Sequence, residues 1–122
     1  KLIHQLRHQG FKIAVVTSSQ NCTAVLKAAK LDAFFDVRVD GNTILAQQLA
    51  GKPAPDTFLT AAKLLGVEPT RAVVIEDAIS GVQAGRHGNF ALVIGVARKG
   101  NAEELRHHGA HLVVNDLGEL VD

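Results

Sequence analysis

The sequence predicts an α/β fold built on a doubly wound parallel sheet, and three observations carry that prediction. Short apolar runs rich in β-branched residues, at 12–16, 37–39, 72–75, 90–96 and 111–114, alternate with stretches of helical periodicity. Glycines at 10, 66 and 88 close those helical stretches. Several runs also hand over to polar or acidic residues at their carboxyl ends, the edge of an open parallel sheet where ligands bind.

The chain has 122 residues, enough for one domain with a real core. Hydrophobic residues make up 47% and charged residues 20%, the balance of a globular protein rather than a disordered one. Thirteen basic against twelve acidic residues give a net charge of +1, which excludes the electrostatic footprint of a nucleic-acid binder. All five aromatics are Phe, so no base-stacking platform is evident. No apolar run reaches the length of a membrane span, and no signal-peptide pattern precedes the first helix. A single cysteine excludes an internal disulfide and fits a reducing compartment, so the expected location is cytoplasmic. The sequence lacks methionine and opens on Leu2, Ile3 and Leu6 without a capping residue, from which the expectation is a piece of a longer protein.

Residues 1–9 read as an amphipathic helix stopped by Gly10, and 12–16 as a buried strand. That strand runs into Thr17-Ser18-Ser19-Gln20-Asn21, ahead of a helical pattern at Val25, Leu26 and Ala29. Three hydroxyls and an amide there suit a helix N-cap and, equally, an anion cradle. Cys22 lacks the arginine that a cysteine phosphatase needs, since position 28 is Ala, and reads as a packed residue. Two Phe near 31–35 lead to the strand at 37–39, and Asp40-Gly41-Asn42 reads as a turn. Residues 43–50 are open between loop and helix.

In Gly51-Lys52-Pro53-Ala54-Pro55-Asp56 each residue before a proline is pushed to an extended conformation, so Lys52 sits on a stiff, non-helical segment. A lone loop lysine is ordinarily a solvated charge, and the proline bracket favours a fixed task. It is not a Walker A lysine, because position 46 is Ala and Pro follows the lysine. Pro55 opens a helix carrying Phe58, Leu59, Ala62 and Leu65, with Gly66 as its stop.

The central stretch is Ala72-Val73-Val74-Ile75-Glu76-Asp77, then Ala78-Ile79-Ser80-Gly81. Its apolar half reads as a strand buried on both faces. Two adjacent carboxylates then stand where strand becomes helix; as hard oxygen ligands they suit a magnesium ion carrying phosphate. The plainer reading is that Asp77 caps the helix. Gly81, Ala84 and Gly85 let that helix lie close to the sheet. After the strand at 90–96, Glu103 and Glu104 begin, and Arg106, His107 and His108 end, a surface helix in the order its macrodipole favours. Residues 111–114 form a last strand, and Asp116 caps a closing turn. No histidine has convincing metal-ligand spacing, and no Gly-x-Gly-x-x-Gly dinucleotide fingerprint occurs.

Hydroxyls after one strand, a lysine in a Pro-rich loop and an acidic pair after another strand resemble, in this order, motifs two, three and four of the haloacid dehalogenase superfamily. Gly51-Lys52-Pro53-Ala54-Pro55-Asp56 with Ile75-Glu76-Asp77 and Gly81 is similar to the β-phosphoglucomutase-like branch. The resemblance implies that Thr17 and the backbone of Ser18 hold a transferring phosphoryl group. Ser19, Gln20 and Asn21 would face the substrate. Lys52 would pair with phosphoryl oxygens and the nucleophile, and Asp77, helped by Glu76, would hold Mg2+. It further implies a phosphorylated small-molecule substrate, a sugar phosphate being the leading choice, with phosphatase or β-phosphoglucomutase activity. The family's first motif, Asp-x-Asp, occurs nowhere in the chain. Residues 1–122 are therefore expected to be the C-terminal part of the catalytic core. The first, central strand, its nucleophilic aspartate and the cap domain would lie outside, leaving these residues inactive alone. Gln20 stands where relatives often place a basic residue, which weighs against a mutase. The alternatives are a non-catalytic module of flavodoxin or receiver type, disfavoured by Thr17 at the end of the first strand, and a metal-free dehalogenase, disfavoured by the acidic pair.

Overall fold

In the computed structural model, residues 2–17, 35–97 and 100–120 are described. Helix α1 (Leu2–His8) leads to strand β1 (Ala14–Val16), and β2 (Val37–Val39) lies parallel to it, in register Ala14 to Val37 and Val16 to Val39. Asp36 ties this edge together. Its carboxylate accepts the Ile13 N–H at 2.7 Å and the Arg7 guanidinium at 2.7 Å. The backbone N–H first, and Arg7 second, hold its pKa below the ordinary aspartate value.

Residues Gly41–Gln47 form helix α2, which decides the stretch left open in the sequence and replaces the turn expected at 40–42. Asp40 is its N-cap: the carboxylate accepts the Thr43 N–H at 3.1 Å, while the Thr43 hydroxyl accepts the Asp40 N–H at 3.3 Å. The same Asp-Gly-Asn residues that favour turns also favour helix starts, and this reciprocal pair selects the helix. Helix α3 (Asp56–Leu65) starts after Pro55 and stops at Gly66, whose φ of 73° lets its N–H reach back to the Ala62 and Lys63 carbonyls. It packs on β1 and β2, and the Lys12 ammonium reaches its last carbonyl, Leu65, at 3.0 Å.

A short 3-10 turn (Pro69–Arg71) feeds β3 (Val73–Glu76), which passes into helix α4 (Ile79–His87); β4 (Leu92–Val96), helix α5 (Ala102–His107) and β5 (Leu112–Val114) follow. Strands β3, β4 and β5 are parallel neighbours in that order. A 3-10 turn over Leu117–Leu120 closes the described chain. The core lies between this sheet and helices α3, α4 and α5. Phe58 and Phe90 meet edge to face at 6.1 Å, with Val74, Val82, Val93 and Leu105 around them. Small residues on α4 permit the close approach: a Cβ on Gly85 would come within 2.9 Å of Val93 Cγ2.

One expectation about β3 fails. Val74 is buried, but Val73 is 53% and Ile75 39% exposed, so the strand is covered on one face only. Among the described residues, β1 bonds only to β2 and β3 only to β4, leaving two ladders with an unpaired edge on each of these strands. Burial on both faces needs a helix layer on each, and among the described residues α4 is the helix packed on β3, on the Val74 side.

Candidate active site

The carboxyl ends of the two ladders meet at one cleft of about 440 Å³, lined by Val16, Thr17, Lys52, Ile75, Glu76, Asp77, Val96 and Leu117. Residues remote in sequence thus converge. Thr17 stands at the end of β1, its N–H bonded to the Val39 carbonyl at 2.9 Å. Lys52 comes from the loop before α3, and Glu76 and Asp77 from the junction of β3 with α4.

Glu76 is the pivot of this arrangement. Its Oε2 accepts the Lys52 ammonium at 2.8 Å, and its Oε1 accepts the N–H groups of Asp77 at 3.1 Å and Ala78 at 3.2 Å. The ion pair is mostly shielded, with side-chain exposures of 24% for Lys52 and 12% for Glu76. The ammonium also stands 5.0 Å from the centroid of the Phe58 ring. Lys52 is therefore fixed rather than solvated. Glu76 can curl over the start of α4 because position 81 is glycine; a Cβ there would fall inside the Glu76 carboxylate arm.

Helix capping does not account for Asp77. The N-cap of α4 is Ala78, which offers no side-chain bond, and the N–H groups at the junction go to Glu76 instead. The exposed carboxylate of Asp77 has no partner among the described residues and lines the cleft. Of the residues singled out in the sequence, Thr17, Lys52, Glu76 and Asp77 are brought together here. Ser18, Ser19, Gln20, Asn21 and Cys22 lie outside the described residues.

Two adjacent carboxylates are the right donor chemistry for a hard divalent cation, which takes one or two carboxylates and fills its shell with water and phosphate oxygens. Among the described residues no group of three or more acidic, histidine or cysteine side chains is arranged to enclose a metal. With Glu76 occupied by Lys52, Asp77 is the carboxylate available to a cation, so the fit is to an open site completed by other oxygens.

No helix among the described residues is long and apolar enough to cross a membrane. The family description for haloacid dehalogenase-like hydrolases matches residues 1–89. A β-phosphoglucomutase of Mycobacterium bovis is 56% identical over 115 residues, which cover 92% of this chain and 44% of that protein. A trehalose-phosphate phosphatase of Mycobacterium leprae is 39% identical over 124 residues, covering 98% of this chain and 27% of that protein. The crystal structure of a β-phosphoglucomutase from Clostridium difficile superposes with a TM-score of 0.84 at 31% identity, over 98% of this chain and 49% of that one. The chain thus spans less than half the length of these relatives. With its parallel sheet, its lysine and its acidic pair gathered at one rim, the chain belongs to the haloacid dehalogenase-like hydrolases.

Proposed function

We propose that these residues form the phosphate- and cation-holding part of a phosphoryl-transfer site acting on a small phosphorylated metabolite, a sugar phosphate in first place. The observation that carries this reading is the Lys52 ammonium held 2.8 Å from Glu76 in the cleft that Asp77 and Thr17 also line. Phosphoryl transfer asks a protein mainly for positioning and for neutralisation of charge on the equatorial oxygens. Lys52 supplies a fixed positive charge for those oxygens. Glu76 holds that lysine in place without spending Asp77, whose carboxylate is left for Mg2+. Thr17 offers a hydroxyl at the end of β1; the phosphate- and substrate-holding roles of Ser18, Ser19, Gln20 and Asn21, which lie outside the described residues, belong to this proposal. The cation, when bound, would offset the negative charge of the phosphoryl group and hold its orientation.

The attacking carboxylate belongs to an Asp-x-Asp segment outside residues 1–122, on a strand lying between β1 and β3. The edges of these two strands that are unpaired among the described residues, and their shared cleft, support that placement. A cap domain, also outside the chain, would choose the substrate. Names of relatives include both a mutase and a phosphatase, and either reaction uses the same phosphoryl-holding groups.

The test is Asp77→Ala in the full-length protein, assayed for phosphate release with and without Mg2+. Loss of magnesium-dependent turnover is expected, and unaltered turnover would end the reading. Incubation with β-glucose 1-phosphate, following glucose 6-phosphate against free phosphate, separates mutase from phosphatase.

A further inference from the structure

The usefulness of Lys52 depends on what holds a loop that has little hydrogen bonding of its own. Residues 50–55 are neither helix nor strand, and two of them are prolines with no N–H to give. Within the loop, the Asp56 carboxylate accepts the Ala50 N–H at 3.0 Å, and the Gly51 carbonyl accepts the Ala54 N–H at 3.1 Å. Besides the Lys52–Glu76 bond, a further tether comes from a distant element. The imidazole Nδ1 of His87 lies 3.0 Å from the carbonyl oxygen of Pro53, the residue next to Lys52. A carbonyl only accepts, so the proton of this bond is on Nδ1 of His87.

His87 is the last residue of α4, and Glu76 immediately precedes the junction where that helix begins. One rigid helix therefore stands between the two grips on the loop. At its start Glu76 takes the lysine ammonium; at its end His87 takes the backbone beside the lysine. Gly88 keeps the end of α4 close to the loop, since a Cβ there would come within 3.3 Å of Pro55 Cβ and 2.7 Å of Phe90 Cε2.

We propose that His87 is a positioning residue for Lys52, its Nδ1–H bond to Pro53 fixing the loop so that the ammonium is presented to the cleft. The proposal rests on the reading of Lys52 as a phosphoryl-holding residue. His87 is not among the residues that line the cleft, and its bond to Pro53 links it to Lys52 through the loop.

The experiment uses the full-length protein with His87→Leu, which keeps bulk and removes the donor, and His87→Asn, which keeps an N–H donor on a shorter arm. Two readouts are taken. The first is the 13C carbonyl resonance of Pro53 together with the amide resonances of Lys52 and Ala54, which do not depend on activity. The second is the rate of phosphate release from β-glucose 1-phosphate, compared with Lys52→Ala. Expected for His87→Leu are displaced Pro53 and Lys52 resonances and a kcat lowered about two- to tenfold, the range of one hydrogen bond. KM should stay near wild type, and His87→Asn should restore both the resonances and kcat. A kcat for His87→Leu equal to wild type, while Lys52→Ala is inactive, overturns the proposal and leaves the reading of Lys52 intact. Equal loss in both His87 variants with a lowered urea midpoint also overturns it, in favour of a merely structural role. If Lys52→Ala keeps full activity, the reading of Lys52 fails, and the role of His87 fails with it.

Discussion

Replacing Gly81 by Ala separates helix propensity from the geometry of the cleft, because the two predict opposite signs. At a helical position, alanine in place of glycine is worth about 0.5–1 kcal/mol of stability. In this structure a Cβ at position 81 would overlap Glu76 Cγ, Cδ and Oε2, so the Glu76 arm must leave its place over the helix start. Leaving costs the 2.8 Å bond to Lys52 and the two bonds to the Asp77 and Ala78 N–H groups. Hydrogen bonds to charged groups contribute about 1.5–3 kcal/mol each, and part of that is recovered by water at a site that is not fully enclosed. The expected net effect of Gly81→Ala is a loss of about 2–4 kcal/mol, set by the ion pair rather than by the helix. The assay is urea unfolding of the full-length protein as a double-mutant cycle with Glu76→Ala, which removes all three overlapping atoms. In that background Gly81→Ala should be neutral or stabilising by about 0.5–1 kcal/mol. The same destabilisation in both backgrounds would show that Glu76 is not what occupies the space, and the reasoning would be wrong.

The other predictions concern charge, capping and packing. Lys52→Met should lower phosphate release of the full-length protein by at least two orders of magnitude, the scale on which removing one electrostatic stabiliser of the reacting group acts, while leaving its circular dichroism unchanged. Because Asp36 has a lowered pKa in the folded state, its contribution to stability is fully present above the ordinary aspartate value and is lost as pH falls through the lowered one. The stability difference between wild type and Asp36→Asn should therefore shrink as pH is taken below about 4, read by urea midpoints across a pH series. Asp40→Ala should cost about 1 kcal/mol by removing the cap of α2, and Asp40→Asn much less, in the same unfolding assay. Phe90→Ala, which empties half of the Phe58 contact, should cost about 3–5 kcal/mol in that assay.

The stretch from Lys52 to Gly81 shows how far sequence reasoning reaches into the site. The carboxylates are legible because apolar residues run into two acids and then a small-residue helix, a local pattern. Their division of labour is not legible. Glu76 and Asp77 are chemically alike and adjacent, and only the arrival of Lys52 from 24 residues upstream makes one a clamp and leaves the other without a partner among the described residues. His87 had no signal at all, since its partner carbonyl is 34 residues away and any histidine at a helix end reads as a favourable dipole contact. The cap of α2 did leave a trace, the three-residue spacing of Asp40 and Thr43, which a turn reading of Asp-Gly-Asn overrode.

What the sequence determined by itself is therefore the order of the strands and of the described helices other than α2, their stops, and the residue types at the rim, because periodicity, capping and turn chemistry act over a few neighbouring residues. Only the tertiary structure decided which strands pair, why β3 is covered on a single face, and which carboxylate holds the lysine. Those outcomes depend on contacts between segments far apart along the chain, where packing and charge pairing choose among partners that look equivalent locally.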